Sequence, residues 1–277
     1  MTRTAMTRTA ITGMLALAAS MLSPGAAPAF AQAVHDPFPP SYDEAMTALC
    51  RSAAQDRSCT LGDRKWSYWF SFDTAAAGTK TYTAIAIGRP RGGIGDLLGP
   101  DAKMPIAQVT YELRGNAWTL TGRQIDLGAV YVNNTGNPAM SDDDGDASYL
   151  EQAVPGGGVL IGYPTVTMAG GGVNLHGHAM FRSDPARPGM WSFGGEIVDA
   201  SDNWADCDRE TAPQTCYRSW SKLTLTGKTI AGWPEVQAVQ TGTLPGPDRK
   251  ARRAGPGDGS LWRFSAASRA YETDSPR

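Results

Sequence analysis

The chain has 277 residues, with 32 glycines, 19 prolines, 41% hydrophobic and 19% charged residues, and a formal net charge of −2. Gly and Pro exceed ordinary usage but stay below the roughly 25–30% that marks low-complexity disorder, so composition excludes a disordered chain, a collagen and a coiled coil. A charge balance this close to neutral also argues against nucleic acid as a partner, because that needs a basic face.

Residues 1–31 read as an export signal. Arg3 and Arg8 form a positive start, an apolar stretch runs from Ile11 to Leu22, and Ala29-Phe30-Ala31 supplies a small-x-small cleavage site. The apolar stretch is about 12 residues, too short for a bilayer span of roughly 20. Loss of Arg3 and Arg8 takes the formal charge from −2 to −4. The expected product is periplasmic or secreted, with no integral membrane segment after signal removal.

The mature chain divides into a β domain over 32–240 and a Pro/Gly/Arg-rich segment over 241–277, read as a flexible tail. The lead 32–41 is Pro-rich and extended. Residues 42–55 have a helical pattern: Ser41 can cap them, Asp43 and Glu44 sit in the first turn, and Tyr42, Ala45, Met46, Leu49 and Ala53 share a face.

From Trp66 the apolar period becomes two. Trp66, Tyr68, Phe70 and Phe72 alternate with Ser67, Trp69 and Ser71. Trp69 on the other face makes this strand central if both faces are buried. Further β-rich runs fall at 81–87, 106–113, 116–121, 128–133, 158–168, 173–181, 190–198 and 217–226, each bounded by Gly, Pro, Asn or Asp. A brief strand over Leu261–Phe264 can dock back on the domain. Many short strands and a single helix define an all-β fold, mainly an antiparallel sandwich or barrel.

The four cysteines form two C-x8-C pairs, Cys50…Cys59 and Cys207…Cys216. In an exported chain an even count reads as disulfides, and the local pairings are the simplest of three connectivities. Each closed loop would contribute about 2.5–3 kcal/mol on the chain-entropy model.

Three constellations could carry chemistry. On a strand over 173–181, His176 and His178 share a face, and the next strand offers Glu196. Two imidazoles and a carboxylate suit zinc or iron. Asp142, Asp144 and Asp146 alternate in a long loop beside Gly145, as in the first half of a calcium loop, although Ala153 stands where the twelfth-position Glu belongs. Asp202, Asn203, Trp204 and Asp206 join carboxylates, an amide and an indole beside a disulfide, a combination that can hold a sugar. Calcium and zinc are thus the candidate cofactors, with none the expectation. His35 lies in the Pro-rich lead and has no chemical partner in sequence.

No GxSxG, Ser-x-x-Lys or unpaired Cys supplies a nucleophile. The leading expectation is an exported β-domain protein with a binding or structural role, its ligand a carbohydrate or envelope polymer. One alternative is a metal-assisted hydrolase of such a polymer, using His176, His178 and Glu196. The other is an inhibitor or partner-binding protein that recognises an envelope protein through its long loops.

Overall fold

The computed structural model describes residues 37–76, 78–92, 102–133, 137–141, 149–170, 172–203, 207, 215–246 and 250–274. The expected signal segment and His35 lie outside them.

Helix α1 spans Tyr42–Cys50. Ser41 and Glu44 form a reciprocal capping box: the Glu44 amide donates to Ser41 Oγ at 3.3 Å, and the Ser41 amide donates to Glu44 Oε2 at 2.7 Å. The helix stops five residues short of the expected end because Arg51 adopts a left-handed conformation, φ 56°. A helix of 9 residues is marginal alone. Ala45, Met46, Leu49 and Cys50 bury its inner face, and the Cys50–Cys59 disulfide ties it to strand β1 (Ser58–Leu61).

The remaining strands are β2 (Arg64–Ala76), β3 (Thr79–Pro90), β4 (Lys103–Arg114), β5 (Ala117–Tyr131), β6 (Met140–Ser141), β7 (Leu150–Ala153), β8 (Val159–Gly170), β9 (Val173–Ser183), β10 (Trp191–Asp202), β11 (Ser219–Ile230), β12 (Trp233–Pro245), β13 (Ala251–Arg253), β14 (Gly259–Ser265) and β15 (Ala270–Thr273). They form three antiparallel sheets: β1-β2-β3-β4-β5; β10-β9-β8-β6 with β7 also on β8; and β11-β12-β14-β15 with β13 on β12.

The layers stack as helix, first sheet, second sheet, third sheet, with an apolar core in each gap. Strand β3 shows how one sequence serves two cores. Tyr82, Ala84 and Ala86 face the helix, while Ile85 and Ile87 face the second sheet. Burial on both faces explains why this run reads as nearly continuous apolar sequence. Phe181, Ile161 and Trp191 fill the middle core from the second sheet. On its other face Leu160, Met180 and Ile197 meet Leu223, Trp233 and Val236 of the third.

The aromatic run of β2 does not keep one face. A register shift between Tyr68 and Phe70 divides it: Trp66 and Tyr68 pack toward the helix, and Phe70 and Phe72 pack toward the second sheet. A bulge places two consecutive residues against one partner, which inverts the alternation beyond it. Trp69 is half-buried, packs on the middle core beside Phe70, and donates its indole N–H to the Ala139 carbonyl.

The expected strands 116–121 and 128–133 are one long β5, which accommodates two register irregularities against β4. The reading of 241–277 as a flexible tail is also corrected. Strand β12 continues to Pro245, and β14 and β15 complete the third sheet. Trp262 and Tyr271 are buried there, and Trp233 stacks on Phe264 at 4.7 Å. Arg252, counted within a basic cluster, makes a two-pronged hydrogen bond to Asp258.

A buried polar ladder fastens the first sheet to the second. Gln124 Nε2 donates to the Trp191 carbonyl and Gln124 Oε1 accepts from the Trp191 amide, while fully buried Gln108 donates to both Gln124 Oε1 and the Gly189 carbonyl. Each polar atom is matched, which removes the penalty of burying it.

Candidate functional site

The two histidines lie on one face of β9, as expected, but that face is interior: His176 and His178 are both buried. It is shared with Met180, so it looks toward the third sheet. His176 Nε2 lies 2.5 Å from Asp202 Oδ2, and Asn174 Nδ2 donates to the other carboxylate oxygen at 3.3 Å. Asp202 is only 3% exposed. The pair binds the end of β10 to β9 across the interior.

Glu196 does not join the histidines. An unbroken ladder from Trp191↔Ser183 would set Glu196 opposite His178. A register shift between Phe193 and Glu196 moves it opposite Ala179 instead. Gly195, at φ 82°, absorbs the extra residue. Glu196 therefore faces the middle core with Ala179, and the expected two-histidine, one-carboxylate set is not assembled. Its Oε2 accepts a 3.4 Å hydrogen bond from the Tyr131 amide. Burial raises the carboxyl to about 7, against the opposing pull of that bond and of Lys103. Among the described residues, no group of three or more His, Cys, Asp or Glu could hold a metal ion.

Asp142, Asp144 and Asp146 lie outside the described residues, as do Trp204 and Asp206. Asn203, only 2% exposed, is engaged internally: Oδ1 accepts from the Tyr217 amide at 2.9 Å and Nδ2 donates to the Thr215 carbonyl at 3.0 Å. These bonds hold the chain that closes through Cys207–Cys216. Asp202, held by His176, and Asn203 are thus both engaged in internal hydrogen bonds.

An open cleft of about 410 Å³ lies instead beside the helix N-terminus. Its walls come from three pieces of sequence. The Pro-rich lead supplies Phe38, Pro39 and Pro40; the helix start supplies Ser41 and Tyr42; and β2 and β3 supply Ser71, Asp73 and Tyr82. The lead is pinned by the Trp118 indole, which donates to the Pro37 carbonyl at 3.1 Å. Phe38 is 95% exposed, so its ring stands free as a lip.

Tyr42 is held by neighbours on two sides: the Tyr68 ring centroid is 4.4 Å away, and the Arg57 guanidinium lies 4.4 Å from the Tyr42 centroid. The Tyr68 hydroxyl donates to Ser71 Oγ at 2.8 Å. Burial raises the Tyr68 and Tyr82 hydroxyls above the ordinary phenol range, so both are neutral donors at physiological pH. Desolvation raises the Asp73 carboxyl too, opposed by the nearby Lys80 ammonium. The β2 bulge creates this wall, because it turns Ser71 and Asp73 onto the face shared with Tyr82 and Ala84.

Rings that offer flat apolar faces, hydroxyls and one carboxylate can stack on a ligand and orient it. Sequence reasoning missed the cleft because it read the lead only as an extended Pro-rich segment, with no surface to dock on. The cluster Phe38-Pro39-Pro40-Ser41-Tyr42 was the available signal.

No family model, curated protein or solved structure matches the chain. Fold and site define its class without a relative: a disulfide-stapled, all-β protein with, among the described residues, the short helix α1. Its two disulfides are compatible with an exported protein that folds in an oxidising compartment. No helix among the described residues is long and apolar enough to cross a membrane.

Proposed function

We propose that the chain is an exported binding protein that holds a carbohydrate in the aromatic cleft. The observation that carries this reading is the cleft itself, with exposed Phe38 and half-exposed Tyr42 at its mouth and Ser71, Asp73 and Tyr82 along its wall. The volume of about 410 Å³ falls within the range of roughly 300–1,000 Å³ typical of small-ligand sites. Aromatic faces bury the apolar C–H face of a pyranose, and hydroxyl and carboxylate groups take up its hydroxyls. The chain's own anchored lead and disulfide-tied helix hold the walls before a ligand arrives, which lowers the ordering cost of binding.

The test is an equilibrium titration against a panel of plant and bacterial oligosaccharides. At least one member should bind with a dissociation constant in the micromolar to millimolar range, and Tyr42→Ala should weaken it about tenfold while leaving the melting temperature nearly unchanged. Absence of binding across the panel by folded protein would contradict the reading.

A further inference from the structure

We propose that the sugar held in the cleft carries a free amine: a hexosamine unit with its ammonium against Asp73. This rests on the carbohydrate reading and names the ligand class within it. Among the described residues that line the cleft, Asp73 is the one charged side chain. No Lys or Arg stands among them, although Arg57 lies over the Tyr42 ring and Lys80 acts on Asp73 from beside the cleft. The exposed Phe38 ring adds to the same preference, because an aromatic face attracts a cation within about 6 Å of its centroid. Stacking alone would accept any pyranose. The carboxylate separates a positive one from a neutral or acidic one.

Register places the carboxylate where it can serve. Asp73 and Tyr82 are directly paired across β2 and β3, so their side chains share a face and border one volume. The neighbouring pair on that face is Ala75↔Lys80, which sets the Lys80 ammonium diagonally from Asp73, near the cleft but not in its lining. Lys80 acts on Asp73 through its charge and competes with a ligand amine for it. Asp43 and Glu44 lie on the adjoining helix turn, where Asp43 accepts the Arg57 amide and Glu44 closes the helix cap. These two carboxylates are engaged by backbone amides and stand outside the lining, so Asp73, with Lys80 beside it, is the lining carboxylate that meets the amine.

The experiment titrates the intact protein at low salt with a β-1,4-linked glucosamine oligomer and with its fully N-acetylated counterpart of equal length. The amine form should bind about tenfold tighter, and its advantage should shrink as salt rises. Asp73→Asn should abolish the difference between the two oligomers, Asp73→Glu should restore part of it, and Lys80→Gln should tighten the amine form alone. Melting temperatures of the variants establish that each is folded. Equal affinity for both oligomers, or a preference that survives Asp73→Asn, overturns the amine assignment and leaves the carbohydrate reading standing. Failure of both oligomers beside a positive neutral oligosaccharide likewise overturns the amine assignment alone, and failure of every sugar removes both.

Discussion

Asp73 and Tyr82 face each other across β2 and β3 on the helix side of the first sheet, at the wall of the aromatic cleft. Their position depends on the bulge at Tyr68–Phe70, which sends Phe70 and Phe72 into the middle core and turns Ser71 and Asp73 outward beneath the helix. One extra residue in a strand therefore serves two ends. It divides the largest aromatic run between two cores, and it places polar groups where a ligand can reach them.

Glu196 should make stability fall with rising pH. Its folded carboxyl is raised from 4.5 to about 7 by burial, so between those values the folded chain retains a proton that the unfolded chain has released. Stability is then lost as pH rises through this window and levels off above it, by roughly 3 kcal/mol at the upper limit. Urea denaturation at pH 5 and pH 8 measures the slope. Glu196→Gln should flatten it and be the more stable protein at pH 8; an unchanged slope in the variant would place the titrating group elsewhere.

Replacing His176 with alanine should leave the Asp202 carboxylate in the interior without its 2.5 Å partner. Loss of one member of a buried pair typically costs about 3–5 kcal/mol. A denaturation midpoint equal to wild type would contradict the buried placement of the pair. Addition of zinc should not raise the melting temperature of wild-type protein through this pair, because Glu196 is turned to the opposite face.

The C-terminal strands should be required for folding. Trp262 is 3% exposed and packs among Trp233, Val236 and Tyr271. Trp262→Ala should cost about 3–5 kcal/mol. A chain ending at residue 240 should bind a hydrophobic dye and lose cooperative unfolding, whereas a dispensable tail would leave the melting curve intact.

Much of the fold was legible in the sequence and the site much less so, for physical reasons. Period-two runs, turn residues and cysteine spacing report local geometry, and they placed most of the long strands, though not β12, together with the helix start and both disulfides. Bulges are invisible to a period count, since any residue inserted into a strand reverses every later face. That is how Glu196 was paired with the histidines, and how Trp66 was grouped with Phe72. Composition misled at the C-terminus, where Pro, Gly and Arg outweighed Trp262 and Tyr271, although two aromatics suffice to seat short strands on an existing sheet. The cleft draws on residues 38–42, 71–73 and 82, brought together only by the docking of the lead and the helix on the first sheet.

Sugar binding in the cleft can be watched at its own rings, by chemical-shift mapping of the intact protein with ring-labelled Phe and Tyr during titration with the tightest-binding oligosaccharide. Saturable shifts of Phe38, Tyr42 and Tyr82 are expected, with Tyr217, which adjoins the second disulfide, unmoved. Shifts confined to Tyr217, or unshifted cleft rings in the presence of a bound sugar, would contradict the assignment of the cleft as the binding site.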